Sequence, residues 1–454
     1  FPDRVTHTSD YFDMIADYAR KVIREGNAYM DNTDQDTMRQ QRMDGIESAC
    51  RNMSVEESLR LFEAMFSGDK AAEGYCLRAR LDMQNKNKAL RDPVLFRSNA
   101  TPHLRTGTRY KAYPTYDFAC PIVDAEEGVT HAMRTSEYRD RDAQYEWVQR
   151  ATGVRHVRIQ EFARLNFQYT LMSKRKLQWL VDHGEVEGWY DPRFPTIQGI
   201  IRRGVQVPAL RDFILSQGFS RRTVEMEWDK FWSTNAKILD VRAPRYMAVF
   251  RDASVELHVS GVPAEPVGLR VPLHPKDASM GHKTVLTGPV VLLERDDAER
   301  ITAPQEITLM RWGNVVVTSV VRGEDGSVTR LEGRFNPDGD FKKTVKVSWV
   351  AKVPELVEAH LVEFDHLLSK KKLEEGDDFK DHLTSTHHPT RVETVALGDP
   401  GLRLLRAGDI VQLERRGFFR CDQPLSAEQP LMLFMVPDGK AKAMSTLSTK
   451  LAHR

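Results

Sequence analysis

The chain has 454 residues, a length that suggests about three domains. Charged residues make up 29% of it and no apolar run approaches the roughly 20 residues needed to cross a bilayer, which indicates a soluble globular protein and excludes a membrane-spanning one. The formal net charge is only +1, so an indiscriminate binder of polyanions is excluded and any contact with nucleic acid must depend on local basic clusters.

The first predicted element is a helix over residues 12–23. Its apolar residues recur at helical spacing, Ser9 or Asp10 can cap its start, and Gly26 ends it. A second helical pattern covers 55–66.

Strand-like runs then follow at 76–81 and 93–96. Residues 138–154 predict a further helix, and 177–239 form a helical zone with periodic apolar residues.

Beyond about residue 241 the pattern changes to short β-rich runs separated by turn residues. Residues 323–327, Gly-Glu-Asp-Gly-Ser, predict a hairpin turn between two of these runs. So many short strands indicate barrels or a sandwich. A charged, exposed segment is expected at 370–380 and a loose tail at 444–454. The runs lie at 285–286, 290–293, 307–310, 315–321, 328–331, 344–350, 410–413 and 431–436.

One continuous stretch carries a recognisable motif. Leu171, Met172, Ser173, Lys174 and Arg175 follow Arg-Leu-Asn at 164–166 and precede Gly-Trp-Tyr-Asp-Pro-Arg-Phe-Pro at 188–195, with Tyr-Pro-Thr-Tyr-Asp-Phe-Ala-Cys upstream at 113–120. A basic triplet by itself is a weak signal, since many solvated turns contain one. The whole run, however, resembles the class I aminoacyl-tRNA synthetases of the glutamyl/glutaminyl branch, and specifically the eukaryotic-type glutamyl-tRNA synthetases, through essentially the entire chain.

The resemblance implies a multidomain fold, α/β followed by all-β. Its parts are the second half of a Rossmann-type catalytic domain at 1–30 and 111–170, an inserted acceptor-stem-binding domain at 31–110, an ATP-loop and helical stem-contact region at 171–240, and two anticodon-binding β-barrels with a C-terminal tail at 241–454. The parallel nucleotide-binding sheet is expected over 110–170.

The resemblance also exposes an absence in the sequence. Class I synthetases carry a signature like His-Ile-Gly-His in the first half of the nucleotide-binding domain, and this chain contains no such tetrapeptide. We therefore expect the chain to be a fragment, with negligible glutamate activation on its own.

Lys174 is the candidate catalytic residue. Activation of an amino acid by ATP requires reactants held in line and neutralisation of the charge on the phosphates, which a lysine on a mobile loop can supply. Ser173 and Arg175 support the loop in this interpretation, and an ordinary basic turn is the alternative. The resemblance implies the following ATP-binding residues: Glu137, Leu165, Asn166, Leu171, Met172 and Lys174.

Arg134 is the candidate specificity residue. A substrate with a side-chain carboxylate favours a planar guanidinium that donates two charge-assisted hydrogen bonds, whereas a neutral amide would leave a buried arginine unpaired. Relatives that charge glutamine resemble this chain but carry an uncharged residue at the matching position. The alternative is a structural salt bridge from Arg134 to Asp124 or Glu127.

A glutamate pocket is expected around Tyr116, whose phenol would line it. Asp117, Phe118, Ala119 and Cys120 belong to the same predicted pocket. A Tyr-Asp-Phe sequence on a strand could equally supply core and cap residues. Cys120 is not proposed as a nucleophile, because no histidine accompanies it and the family needs no acyl-enzyme.

Contacts with tRNA are expected from arginines in two regions. Arg193, Arg202 and Arg203 would reach phosphates on the inside of the tRNA, and such contacts are salt-dependent. Arg415 and Arg416 precede Phe418 and Phe419, which could support unstacked anticodon bases. Because those two phenylalanines are adjacent in a predicted strand, only one is expected to face the barrel core.

The expected function is that of a glutamate–tRNA ligase, which converts L-glutamate and ATP to glutamyl-adenylate and transfers the glutamyl group to tRNA(Glu). Mg²⁺ would accompany ATP, with no ligand assigned. The alternatives are a glutaminyl-tRNA synthetase, opposed by Arg134 and by Glu-Trp-Asp-Lys at 227–230, and a non-catalytic tRNA-binding module.

Other synthetases in a complex are further candidate partners of the chain, and a membrane is not an expected partner. The four cysteines lie far apart without a Cys-x-x-Cys pair, as is typical of proteins of the reducing cytosol, so a cytoplasmic location is expected.

Overall fold

The computed structural model describes residues 2–439, and the tail predicted over 444–454 lies outside them. The chain divides into two compact units. Unit 1 comprises Phe1–Arg164 and Phe219–Val224, and unit 2 comprises Leu165–Gly218 and Glu225–Arg454.

Unit 1 combines helices with short strands. Its elements in chain order are α1 (Phe12–Arg24), β1 (Ala28–Asp31), α2 (Gln35–Asp44), α3 (Val55–Ser67), β2 (Cys76–Ala79), β3 (Val94–Ser98), β4 (Ala112–Pro114), α4 (Tyr116–Glu126), β5 (His131–Thr135), α5 (Asp142–Thr152) and β6 (Arg158–Phe162).

Helix α1 forms where its apolar spacing predicted it. Its buried face, which includes Ile15, Ala19 and Val22, packs into the main core of unit 1. The prediction that Ser9 or Asp10 caps it is wrong, because both residues lie in a 3₁₀ turn, Thr8–Tyr11, that precedes the helix. The Asp10 carboxylate instead accepts the backbone N–H of His7 at 2.9 Å.

Two sheets organise unit 1. Strands β1 to β4 form an antiparallel sheet in sequential order, which includes both strands predicted near residues 76 and 93. Strands β5 and β6 pair in parallel, and His131 aligns with Arg158. A parallel sheet was expected over 110–170, and the structure described there contains this one parallel pair, with helix α5 between its two strands in sequence.

Helix α4 replaces the strand expected at 116–118. Thr115 is extended and precedes the helix, whose buried residues Phe118, Ile122 and Ala125 recur at helical spacing. Tertiary packing on that face outweighs the strand preference of the aromatic residues. The prediction of a strand here is therefore wrong.

Unit 2 begins with helices and continues with strands. Its elements, together with β8 at the boundary between the units, are β7 (Leu165–Phe167), α6 (Lys174–Asp182), α7 (Ile197–Arg202), α8 (Val207–Gln217), β8 (Val224–Met226), α9 (Trp228–Asp240), β9 (Arg245–Tyr246), β10 (Ala248–Phe250), β11 (Ser254–Ser260), β12 (Val267–Pro272), β13 (His282–Thr287), β14 (Val290–Glu294), α10 (Arg295–Arg300), β15 (Gln305–Leu309), β16 (Gly313–Arg322), β17 (Val328–Asn336), β18 (Val345–Val347), β19 (Trp349–Ala351), β20 (Val357–Phe364), β21 (Arg391–Gly398), β22 (Ile410–Leu413), β23 (Gly417–Gln423) and β24 (Leu431–Val436).

Two seven-stranded, barrel-like mixed sheets dominate the C-terminal part of unit 2. Their strand orders are β18-β15-β16-β17-β11-β14-β19 and β10-β21-β20-β24-β23-β22-β9. The hairpin predicted at 323–327 is confirmed, since it joins antiparallel β16 and β17 and Gly326 has a φ of 80°. The single run predicted at 344–350 is divided into β18 and β19, which pair with different partners.

Among residues 2–439, no helix combines the length and the apolar character required to span a membrane.

Candidate active site

Arg134 is buried on the inner face of β5. Strand alternation turns Ala132 and Arg134 inward and exposes Met133, so only 7% of Arg134 is accessible. Its Nη1 lies 3.5 Å from the Asp142 carboxylate. The alternative that Arg134 forms a salt bridge to Asp124 or Glu127 is therefore not what the structure shows.

Part of the Arg134 guanidinium is unsatisfied by protein groups. Its Nε is buried without a hydrogen-bond partner among the described residues. A long contact to one carboxylate leaves a buried guanidinium under-satisfied, which is costly. A second carboxylate that accepted the Nε–H would relieve this cost.

Two tyrosine rings contact the Arg134 guanidinium. Its central carbon lies 5.0 Å from the Tyr138 ring centroid and 5.3 Å from that of Tyr145, within the range of cation–π attraction. Tyr116 lies beside Tyr138, with 6.0 Å between ring centroids. Tyr145 was not predicted, although its buried position on α5 repeats at Val148 in a helical pattern.

Tyr116, Cys120 and Asp124 recur at helical spacing along α4. The Cys120 thiol donates to Asp124 Oδ2 at 3.4 Å. Burial, followed by the Cys120 thiol, raises the pKa of Tyr116 to about 12. Burial and the nearby Asp124 charge raise the pKa of Cys120 to about 11, so the thiol is protonated at neutral pH and a poor nucleophile.

The other predicted pocket residues have different surroundings. Asp117 pairs with Arg141 through contacts of 2.9 and 3.1 Å. Phe118 and Ala119 are buried in the core of unit 1, which argues against a direct contact with substrate. Glu137 is largely exposed and accepts from Arg164 Nη1 at 3.2 Å.

In unit 2, Lys174 is the first residue of α6. Leu171 is buried in an apolar cluster with Leu177, which anchors the segment, and Ser173 precedes the helix. Lys174 and Arg175 are exposed, and neither side chain has a partner among the described residues. A free ammonium beside the N–H groups of a helix N-terminus suits an anion such as a phosphate.

The segment before this loop is held by aromatic stacking. Phe167 lies flat against Trp228, with 3.9 Å between centroids and 14° between planes. Trp228 Nε1 also donates to the Thr170 hydroxyl at 3.0 Å. Leu165 and Asn166 are half-buried, and Asn166 Nδ2 lies 3.4 Å from the Glu225 carboxylate.

The arginines expected to bind tRNA near the helical region are held by protein groups. Arg193 makes two bonds to Asp191, of 2.9 and 2.7 Å. Arg202 donates twice to Asp422, at 2.8 and 2.7 Å. Arg203 is buried and donates to a backbone carbonyl, and burial lowers its pKa to about 10.

The barrel arginines are likewise paired. Arg415 forms a two-contact ion pair with Asp297, one contact being 2.8 Å, and Arg416 pairs with Glu294. These five environments argue against phosphate or base contacts by Arg193, Arg202, Arg203, Arg415 and Arg416, because binding RNA would require breaking the existing ion pairs or exposing buried groups.

Both Phe418 and Phe419 are buried, and the prediction that only one of them faces the barrel core is confirmed. They project to opposite faces of β23, but each face is covered. Phe418 packs in a cluster with residues of α8 and α9 such as Phe213 and Phe231, and Phe419 packs with the strand residues of the second seven-stranded sheet.

Three family models match the chain in succession. Residues 2–241 match the catalytic domain of the class I tRNA synthetases (E and Q), and residues 243–336 and 346–422 match two anticodon-binding domains of that group. These matches define a class I tRNA synthetase architecture. The chain belongs to the E and Q family of class I tRNA synthetases.

The relatives that the chain resembles include proteins named glutamate–tRNA ligases. The cytoplasmic glutamate–tRNA ligase of Arabidopsis thaliana is 48% identical over 441 residues, which cover 97% of this chain and 61% of the relative. That of Saccharomyces cerevisiae is 46% identical with the same coverage. The bifunctional glutamate/proline–tRNA ligase of Mus musculus is 44% identical over 99% of this chain and 30% of its own length. The chain thus spans 61% of the length of the first two relatives.

Proposed function

We propose that this chain acts in glutamate–tRNA ligation, the ATP-dependent activation of L-glutamate and its transfer to tRNA(Glu). The observation that carries the proposal is the buried Arg134, whose Nε has no hydrogen-bond partner among the described residues. Such a fork pairs with a side-chain carboxylate through two charge-assisted bonds. Identities of 44–48% to relatives named glutamate–tRNA ligases support the same substrate.

In this proposal each unit contributes its own part. In unit 1, Arg134 and Tyr116 bind glutamate. Glu137 lies near the ATP ribose or the α-amino group of the substrate. In unit 2, Lys174, with Ser173, Arg175, Leu171 and Met172 in its loop and Leu165 and Asn166 upstream, serves the nucleotide. Lys174 neutralises charge that develops on the phosphates as pyrophosphate leaves.

The domain roles are part of the proposal. Residues 31–110 bind the acceptor stem, 171–240 include the stem-contact region, and 241–454 hold the anticodon-binding domains. ATP is a co-substrate accompanied by Mg²⁺. The described residues contain no cluster of metal-ligating side chains, so no Mg²⁺ ligand is assigned. Cytoplasmic action, as in the names of the relatives, and association with other synthetases, as the bifunctional relative suggests, are proposed on the same basis.

A glutaminyl-tRNA synthetase is opposed by Arg134. Glutamine presents a neutral amide, which would leave the guanidinium paired only with Asp142 at 3.5 Å. The glutamate carboxylate satisfies it better, since bonds to charged groups contribute about 1.5–3 kcal/mol each.

The test is glutamate-dependent ATP–pyrophosphate exchange by protein expressed from the complete coding sequence that contains this chain. Arg134→Cys should lower kcat/KM for glutamate by more than about 100-fold, because two such bonds are lost and 1.4 kcal/mol is a factor of ten. Arg134→Lys should remain poor, since it keeps the charge without the fork.

The matched control is Arg60→Cys, which removes an exposed arginine of unit 1 that pairs with Glu57, and should leave exchange unchanged. An unaltered glutamate kcat/KM in Arg134→Cys would make Arg134 structural and restore the glutaminyl alternative. Binding of tRNA without exchange by the wild-type protein would favour the tRNA-binding module.

A further inference from the structure

One oxygen of Asp124 accepts hydrogen bonds from residues of two helices near Arg134. Asp124 Oδ2 accepts the Tyr145 hydroxyl at 2.8 Å and the Cys120 thiol at 3.4 Å. Asp124 lies on α4 and Tyr145 on α5, so this carboxylate joins the two helices near Arg134.

The bond to Tyr145 leads to Arg134, which is proposed to bind glutamate. Through it, Asp124 fixes the ring that lies 5.3 Å from the Arg134 guanidinium. The bond from Cys120 holds a side chain one helical turn from Tyr116 on α4. Asp124 itself does not pair with Arg134 or Tyr116.

We propose that Asp124 is a positioning residue of the proposed glutamate site, which orients Arg134 through the Tyr145 ring. This inference rests on the proposed function, and it assigns to Asp124 a part in the specificity of that site for glutamate. A guanidinium placed against a fixed ring keeps its N–H groups aimed at one position, which a bidentate bond requires.

A second bond of the same kind offers a matched comparison. Tyr18 donates its hydroxyl to Glu126 at 2.8 Å, and Glu126 also lies on α4. In the described part of the chain, neither Tyr18 nor Glu126 is hydrogen-bonded to Arg134, Tyr116 or Cys120. If Asp124 only ties α4 to the rest of unit 1, the two bonds should have the same effect on activity. If Asp124 positions the pocket, only its bond should matter for glutamate.

The experiment measures KM and kcat for glutamate and KM for ATP by pyrophosphate exchange, with protein expressed from the complete coding sequence that contains this chain. The variants are Asp124→Ala, Asp124→Asn and Tyr145→Phe, and the controls are Glu126→Ala and Tyr18→Phe. We expect Asp124→Ala and Tyr145→Phe to raise KM for glutamate by roughly tenfold, the scale of one lost hydrogen bond, with KM for ATP unchanged. Asp124→Asn keeps an acceptor oxygen and should recover most of the loss.

The controls should match the wild-type protein in both KM values. Equal KM for glutamate in wild type and Asp124→Ala would overturn the inference while the proposed function stands, as would equal effects of Asp124→Ala and Glu126→Ala. Failure of Asp124→Asn to restore KM would show that charge, not hydrogen bonding, is what matters, and would also overturn it. Absence of glutamate-dependent exchange in the wild type would overturn the proposed function itself. Thermal unfolding of every variant identifies any that fails to fold. If an Asp124 variant fails to fold, the KM for glutamate of Tyr145→Phe, which removes one oxygen atom, tests the inference instead.

Discussion

Arg78 and Asp31 form an ion pair in which both side chains are completely buried, with 2.6 Å between Nη1 and Oδ2. They project from adjacent strands, β2 and β1, and Arg78 Nε donates to the backbone carbonyl of Asp92 at 2.8 Å. Burial alone raises the pKa of Asp31, but hydrogen bonds from Thr33 and Arg78 outweigh burial and hold that pKa below its ordinary value. The pair therefore fixes the antiparallel sheet of unit 1 from inside.

Arg78→Met should destabilise unit 1 by about 3–5 kcal/mol, because it leaves the Asp31 carboxylate buried without its charged partner. Chemical denaturation followed by tryptophan fluorescence and circular dichroism measures the change. The control is Arg109→Met, which breaks an exposed ion pair to Asp13 of similar length, 2.7 Å, and should cost less than about 1 kcal/mol. Equal losses in the two variants would contradict the importance assigned to burial.

Lys174→Ala should lower kcat for pyrophosphate exchange by about 100-fold, with KM for glutamate little changed. The reason is that the exposed, unpartnered ammonium at the start of α6 is proposed to act on charge that develops in the transition state. Lys176→Ala is the control, since Lys176 lies two residues further along α6 and faces the Phe379 ring at 5.5 Å. A similar loss of kcat in both variants would indicate a general effect on α6.

The chain should bind tRNA with an affinity that falls as salt concentration rises, because phosphate contacts release counterions. Arg222 is exposed, whereas Arg203 is buried against a backbone carbonyl. Arg222→Ala should reduce the slope of log affinity against log salt by about 1. Arg203→Ala should lower thermal stability and leave the slope unchanged. Titration of labelled tRNA at several salt concentrations provides both slopes, and salt-independent binding would count against the assignment.

Stability of unit 2 should depend on His366 between about pH 6.5 and pH 3. Its ring stacks on Tyr169 with 5.0 Å between centroids, and burial, followed by the charge of Arg203, lowers the pKa of His366 to about 3. In this interval the unfolded chain binds a proton that the folded chain does not, so the contribution of His366 is complete above pH 6.5 and is lost as pH falls.

His366→Phe should therefore flatten the decline of unfolding free energy between pH 6.5 and pH 3, relative to the wild-type protein. His258→Phe changes a half-exposed histidine of β11 and serves as the control. The free energy of unfolding is measured by denaturant titration at each pH. Parallel curves for wild type and His366→Phe would refute this account.

Local sequence signals determined most of the secondary structure. The helix predicted at 55–66 is observed as Val55–Ser67, and the strands predicted at 410–413 and 431–436 coincide with β22 and β24. Each segment has a periodic pattern of apolar residues or flanking turn residues, and no distant contact opposes that local preference. The failures are instructive. At 116–118 the alternative interpretation placed Tyr-Asp-Phe on a strand, but packing of Phe118 and Ile122 on one face produced a helix.

For the candidate site, the sequence by itself supplied the identity of Arg134 and Lys174, because a guanidinium and an ammonium within a recognisable motif carry their chemistry with them. Only the tertiary structure decided which charges are already neutralised. Arg202 pairs with Asp422, 220 residues away in sequence, and Arg415 pairs with Asp297, 118 residues away. In the sequence, both arginines look like unpaired basic residues. Tyr145 and Asp124, 21 residues apart, become one part of the pocket in the same way. Burial and pairing between distant residues depend on how the chain folds back on itself, and that information lies in no short stretch of sequence.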